Sequence, residues 1–263
     1  MGQDLRVSQR DAAAELGRNL GRAERGLVIL AEGNTSARED SDTFWVKASG
    51  FSLCGIGPDG FLAVKFSPIF AALRQGTAND EEVRQILSDA RAEPGQLMPS
   101  VETFMHAYLL NLTGVAYVGH THPVHMLSIL CLADAKTMAA TRVFPDEVVC
   151  CGPASAFVPY VDPGLPLALA IRDSVEQFVD THGELPKTIW LANHGLIAIG
   201  KSPAEVESAT SMSEKSAKIR LGSLASQKAI RYMDKAEIER IRGRPDEHYR
   251  QRLLWELRQN PIQ

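Results

Sequence analysis

The sequence is short of the features that mark secreted, membrane-spanning or nucleic-acid-binding proteins. Its 263 residues include only four cysteines, at positions 54, 131, 150 and 151, with no Cys-x-x-Cys spacing. Chain neighbours such as Cys150 and Cys151 rarely bond to each other. Neither a disulfide scaffold nor a cysteine-ligated metal site finds support, and reduced, mostly buried thiols lead us to expect a cytoplasmic protein. No apolar run approaches the ~20 residues that span a bilayer, so no membrane role is expected. Residues 1–11 are polar and lack the apolar centre of a signal peptide. Gly2 is followed by Arg6 where a myristoylation motif needs Ser or Thr, and without a secretory route the sequons at Asn34 and Asn111 carry no meaning. The formal net charge of −4 gives no electrostatic case for nucleic acid. Repeats, low-complexity segments and linkers are also missing, so one domain over residues 1–263 is expected. The Gly55-Ile56-Gly57 stretch before Pro-Asp-Gly reads as a hairpin turn and not as a dinucleotide fingerprint. What remains is ordinary for a soluble enzyme, with 44% hydrophobic and 23% charged residues.

The informative stretch is Gly119-His120-Thr121-His122-Pro123. The apolar, partly β-branched residues 115–118 before it read as a short buried strand. Strand side chains alternate between faces, so His120 and His122 point to the same side, where two imidazoles can share one ion. Pro123 stops the ladder because it has no N–H, and residues 124–133 read as a buried helix. Zinc prefers about four ligands, so further ones must come from elsewhere. His194 is the best third imidazole, since it sits in a tight turn between two apolar β segments, 188–192 and 196–199. Of the other histidines, His106 and His125 fall on helices, as packed or solvated residues. His182 follows a helix, and His248 lies in a charged segment.

The rest of the chain supplies a frame. Residues 8–24 read as an amphipathic helix. Residues 32–36 are turn-rich and fit either an anion-binding loop or a plain turn. Residues 44–48 and 61–64 read as strands, with Ser49-Gly50 at the end of the first, where backbone N–H groups can face an anion. Residues 66–96 carry little signal beyond a short helix from Asp80. Pro99-Ser100-Val101-Glu102 opens a helix, with Ser100 as N-cap and Glu102 in the first turn, where an acid also simply favours the helix dipole. Residues 141–151 read as loop and strand, 165–179 as a helix, 203 to about 217 as a helix with Pro203 at its first position. Residues 235–242 and 248–257 read as charged amphipathic helices.

Three imidazoles with an open position are the pattern of a catalytic metal site. A divalent ion there acts as a Lewis acid on a carbonyl and its neighbouring hydroxyl, stabilising an enediolate, while a carboxylate beside it exchanges a proton. Carbon–carbon bond cleavage or formation next to a carbonyl is the reaction class this chemistry suggests.

Taken together, Gly33-Asn34-Thr35-Ser36, Ala48-Ser49-Gly50, Pro99-Ser100-Val101-Glu102, His120-Thr121-His122 and Asn193-His194-Gly195-Leu196 resemble the class II aldolase/adducin family, in order and spacing, over about residues 10–220. Residues from about 223 to 263 then form a C-terminal helical extension. The family includes fuculose-phosphate and rhamnulose-phosphate aldolases and some decarboxylases. The resemblance implies a three-layer α/β/α fold with a central, largely antiparallel sheet, and a homotetramer with its site near a subunit interface. It implies His120, His122 and His194 as metal ligands, with Glu102 both contacting the ion and acting as acid/base. Asn34, Ser49, Gly50 and Ser100 match phosphate-loop positions. The metal implied is zinc, with manganese or cobalt as alternatives, since imidazole sites discriminate poorly.

The sequence departs from the pattern in places. Val101 stands where a second phosphate-contacting serine is expected, Ser49 replaces a threonine, and Phe144 lies near the place of a catalytic tyrosine. A tyrosine from a neighbouring subunit, Tyr232 or Tyr249, is one possible source of that group. The expected activity is retro-aldol cleavage of a ketose 1-phosphate, or an analogue, to dihydroxyacetone phosphate and an aldehyde. The alternative is decarboxylation of a 3-keto or aromatic acid on the same site. The substrate is thus a small phosphorylated or carboxylated molecule. A non-catalytic binding module, as in the adducin branch, is disfavoured because that branch lacks the metal ligands.

Overall fold

A computed structural model of the chain describes residues 8–95 and 97–244. In chain order the elements are α1 (Gln9–Leu20), β1 (Asn34–Arg38), β2 (Thr43–Lys47), β3 (Phe61–Lys65), α2 (Phe66–Gln75), α3 (Asp80–Asp89), α4 (Thr103–Leu110), β4 (Tyr117–Thr121), α5 (Val124–Leu130), α6 (Ala135–Ala139), α7 (Pro145–Cys151), β5 (Ala156–Val158), α8 (Leu165–His182), β6 (Thr188–Leu191), β7 (Gly195–Gly200), α9 (Pro203–Ala225) and α10 (Lys235–Arg242). The strands form one seven-stranded sheet in the order β3-β2-β1-β4-β7-β6-β5. The segments expected at residues 1–7 and 248–257, with Tyr249 and His248, lie outside the described residues.

The expected largely antiparallel sheet is corrected to a mixed one, because β5 runs parallel to β6. The cause is the connection between them. Parallel neighbours need a crossover, and the 18-residue α8 provides it. The remaining neighbours pair antiparallel.

Side-chain alternation sends the two faces of the sheet into different cores. Phe44, Val46, Val64, Val118, Ile197 and Ile199 pack with α2, α4 and α8. Ala37, Tyr117 and Ala198 pack with α1 and the first turns of α9, and Trp190 and Leu196 continue that face under α5, α6 and α9. Helices therefore cover both sides of the sheet.

Three local expectations change. Residues 145–151 form α7 and not a strand. Pro145 sits at the helix start, Glu147 turns back to accept from the Val143 N–H at 2.8 Å, and Val148 is buried against α10. Packing thus overrides the β preference of Val148-Val149-Cys150-Cys151. The helix α2, which carried no clear signal, starts with Pro68 in its first turn, where a missing N–H costs nothing. The turn expected at residues 32–36 shrinks to Gly33, whose φ is +66°. Asn34, Thr35 and Ser36 already belong to β1. A side chain at Gly33 would meet the His120 carbonyl oxygen at 2.6 Å, so a glycine is required where the chain passes the site.

Candidate metal centre

The centre lies where the middle of the sheet ends. The last residues of β4 are His120 and Thr121, and His122 follows. His120 lies on the same face as Val118, the side of the sheet covered by α4. Next to β4 runs β7, in register Thr121↔Leu196. That register carries the three-residue loop between β6 and β7, and with it His194, to the end of β4. The loop closes through the His194 N–H on the Leu191 carbonyl at 3.2 Å and needs a left-handed residue, Asn193 at φ +54°. Asparagine tolerates that conformation better than most residues.

The three expected ligands meet. Ring centroids of His120, His122 and His194 are 4.8, 4.9 and 5.1 Å apart, and one ligand nitrogen from each lies within 4.8 Å of the others. The His120 Nδ1 donates to the Leu196 carbonyl at 3.1 Å, so its Nε2 carries the lone pair toward the centre. His122 Nε2 is 2.9 Å from that nitrogen. His122 Nδ1 faces Glu32 Oε1 at 3.7 Å, while the buried Nδ1 of His194 has no partner among the described residues. Three converging imidazoles beside a carboxylate are a donor set that fits a divalent ion.

Glu102 completes the group. Its Oε1 lies 3.3 Å from both His120 Nε2 and His194 Nε2, and its Oε2 accepts from the Asn34 amide at 2.5 Å. Burial opposes its charge, but His120, His194 and Asn34 together outweigh this and hold the carboxyl well below the usual carboxylate range. Burial, with His120 and His194 nearby, pushes His122 down to about 3. Burial thus favours His122 as a neutral ligand, while Glu102 is favoured as an ionised acid.

Glu102 does not occupy the first turn of α4, as the sequence suggested. It is the N-cap residue, without a capping side-chain bond. The helix begins three residues after Ser100 because residues 100–103 close a separate turn, with the Thr103 N–H on the Ser100 carbonyl at 3.0 Å. Ser100 is therefore not a cap, and its buried hydroxyl has no partner among the described residues.

The expected anion-binding positions come together in part. An isolated bridge between Ala48 and Pro99 sets Ser49-Gly50 beside Ser100. The Ser49 N–H is already bonded to the Met98 carbonyl at 2.9 Å, which leaves its hydroxyl, the Gly50 N–H and the Ser100 hydroxyl. Gly50 has φ +84°, a conformation that suits glycine. Asn34 is turned inward, its carbonyl oxygen toward His106 Nε2 and its amide toward Glu102, so one amide hydrogen remains for a ligand. Tyr160 is exposed and bonded to Asp162, and Tyr232 packs against Arg220 of its own chain.

Sequence reasoning passed over three neighbours of the site. His106, read as a packed helix residue, is fully buried and bonded to both Asn34 and Ser36. Its spacing of four from Glu102 was the available signal, because that spacing places both on one helix face. Glu32 lay inside a stretch read as a turn. Lys47 is buried at 4% exposure, and its ammonium donates to the Ala31 and Phe51 carbonyls. Burial lowers its pKa while the charge of Glu102 raises it. A lysine ending an otherwise apolar strand was its only mark.

Comparison with known proteins agrees with this geometry. The family model for the class II aldolase and adducin N-terminal domain matches residues 11–221. The "Uncharacterized oxidoreductase YuxG" of Bacillus subtilis (strain 168) is 30% identical over 192 residues, covering 70% of this chain but 25% of that protein. The chain thus spans about a quarter of YuxG. A 3-oxo-tetronate 4-phosphate decarboxylase of Haemophilus influenzae is 25% identical over 240 residues, covering 90% of this chain and 98% of that protein. The structure of an L-fuculose 1-phosphate aldolase superposes with a TM-score of 0.65 at 15% identity, covering 91% of this chain and 97% of that one, which establishes likeness of fold. With a family model spanning most of its length, the chain belongs to the class II aldolase and adducin family.

Proposed function

We propose that the chain is a metal-dependent carbon–carbon lyase acting on a small phosphorylated ketose, a ketose 1-phosphate or a close analogue, to give dihydroxyacetone phosphate and an aldehyde. The observation that carries this reading is the meeting of His120 and His122 with His194, from two separate segments, with the Glu102 carboxylate 3.3 Å from His120 and from His194. His120, His122 and His194 would hold the ion, with Glu102 Oε1 beside them, and zinc is the metal we favour. When bound, the ion supplies a Lewis acid for a carbonyl and its neighbouring hydroxyl.

The chain's own residues have distinct tasks in this reading. In the cleavage direction the hydroxyl on the carbon beyond the breaking bond loses its proton and becomes the aldehyde oxygen; Glu102, ionised and held by Asn34, would take up that proton and deliver it to the carbon next to the carbonyl. The Ser49 hydroxyl, the Gly50 N–H and the unpartnered Ser100 hydroxyl receive the phosphate. Val101 is 41% exposed and offers no second hydroxyl there. No tyrosine among the described residues of the site stands ready to relay the proton from that hydroxyl, and a neighbouring subunit of a homotetramer would provide such a group.

A second reading is decarboxylation of a 3-oxo acid phosphate. It is favoured by the Haemophilus influenzae relative, matched over nearly its whole length, and by Val101 in place of serine. Loss of carbon dioxide from such an acid leaves the same enolate that aldol cleavage leaves. The two reactions therefore make the same demand on Glu102 and the phosphate grip.

The test is turnover by zinc-loaded protein of a panel of ketose 1-phosphates and 3-oxo acid phosphates, with dihydroxyacetone phosphate, aldehyde and carbon dioxide measured separately. Aldehyde release supports the first reading and carbon dioxide release the second. Stoichiometric zinc with no carbon–carbon cleavage of any member would sink both.

A further inference from the structure

We infer that His106 and Ser36 are positioning residues, a two-residue extension behind the centre that fixes which way the Asn34 amide faces and thereby holds Glu102. The four side chains form one unbroken line: Ser36 Oγ to His106 Nδ1 at 2.6 Å, His106 Nε2 to Asn34 Oδ1, Asn34 Nδ2 to Glu102 Oε2 at 2.5 Å. They come from two elements that sequence order keeps apart. Asn34 and Ser36 share one face of β1, and Glu102 and His106 lie four apart at the start of α4. Ser36 and His106 are both fully buried, so no water substitutes for a missing partner.

The donor–acceptor order of the whole line follows from its end. As a carboxylate, Glu102 only accepts hydrogen bonds, so Asn34 presents its amide hydrogens there. The amide oxygen then faces His106, whose Nε2 must donate. His106 is fully buried with a hydroxyl and an amide oxygen at its two ring nitrogens, and a buried ring without a charged partner at either nitrogen is neutral and has a single N–H. With that N–H on Nε2, Nδ1 is an acceptor, and the Ser36 hydroxyl donates to it. Reversing any one group sets two acceptors or two donors against each other in a dry environment, where neither finds another partner. Oε2 of Glu102 is thus fixed by the relay, while Oε1 alone faces His120 and His194.

The inference rests on Glu102 being the site's acid/base, but its readout does not need turnover. The experiment is long-range proton–nitrogen NMR on zinc-loaded protein labelled with ¹⁵N-histidine, with the His106 signals assigned by their absence in His106→Gln. The wild type is expected to show His106 wholly as the Nε2–H tautomer. In Glu102→Gln the side-chain amide can donate as well as accept, so Asn34 is released and the Nδ1–H form of His106 appears. Unchanged backbone amide spectra of both variants show that they fold. An Nδ1–H tautomer in the wild type overturns the inference, and so does a tautomer indifferent to Glu102→Gln. A purely structural His106 would give that indifference. Failure of the substrate panel would remove the proposed reaction and leave the tautomer result standing.

Discussion

Gly195 lies directly against His122: a Cβ on Gly195 would meet the imidazole Cδ2 at 2.8 Å, with His120 Cε1 at 3.1 Å and the Thr121 carbonyl oxygen at 2.6 Å. The glycine is there for closeness, since its neighbours are two rings of the centre and a backbone oxygen that cannot move aside cheaply. Gly195→Ala is expected to spread the imidazoles and weaken zinc binding at least about tenfold, or about 1.4 kcal/mol. Calorimetric titration with zinc checks this. Wild-type affinity in the variant would show that the rings are not held by this contact.

An ion bound by the folded chain alone must stabilise it. At a free concentration a hundred times Kd the gain is about 2.7 kcal/mol, which for a chain of this size raises Tm by roughly 5–10 °C. Thermal unfolding with zinc, with chelator, and in His194→Ala is the measurement. The zinc-dependent rise is expected in the wild type and should be largely lost in the variant.

His106 makes stability depend on pH. Its folded value, about 3, lies below the ordinary value of 6.5, so the unfolded chain takes up this proton first as pH falls. The stabilisation is complete above about 6.5 and is lost progressively from there down to about 3, at up to about 1.4 kcal/mol per pH unit. Urea unfolding at pH 7, 6, 5 and 4 should show this slope in the wild type and a shallower one in His106→Gln. Equal slopes would mean that His106 is not buried neutral.

The charge cluster under α7 and α9 is a separate stability element. Glu147 accepts from Arg220 at 3.2 Å and from the Ser216 hydroxyl at 2.7 Å, with Arg142 at 3.9 Å, and all are almost fully buried. Glu147→Ala leaves two buried guanidiniums without their carboxylate, and removing one partner of such a group costs about 3–5 kcal/mol. Chemical unfolding should show a loss of this size with zinc affinity unchanged. A loss below about 1 kcal/mol would show that the backbone carbonyls around Arg142 and Arg220 suffice.

The convergence of the three histidines was legible in the sequence because the rules behind it are local and geometric. Period-two alternation placed His120 and His122 on one face, and a turn between apolar β segments marked His194. The residues behind the centre were less legible. His106 looked like any packed helical histidine until the fold set it beside Asn34, and Ser100 had the residue type of a cap but lies two residues before the N-cap position. The segment 145–151 was misread since its valines and cysteines suit strands in isolation, and only burial against α10 makes it a helix. The parallel β5–β6 pairing was hidden for the same reason. It depends on which way α8 returns the chain, and that is decided by packing between distant segments.

The register of β7 on β4 has one more consequence. His122 and His194 are neighbours only when the two central strands have paired, and nothing local in either segment supplies three ligands by itself. If these residues hold the ion as proposed, tight uptake needs all three imidazoles and would report that the middle of the sheet has closed. In refolding, a cobalt or zinc signal would serve as a clock for that event, appearing together with protection of the β4 and β7 amides and not before it.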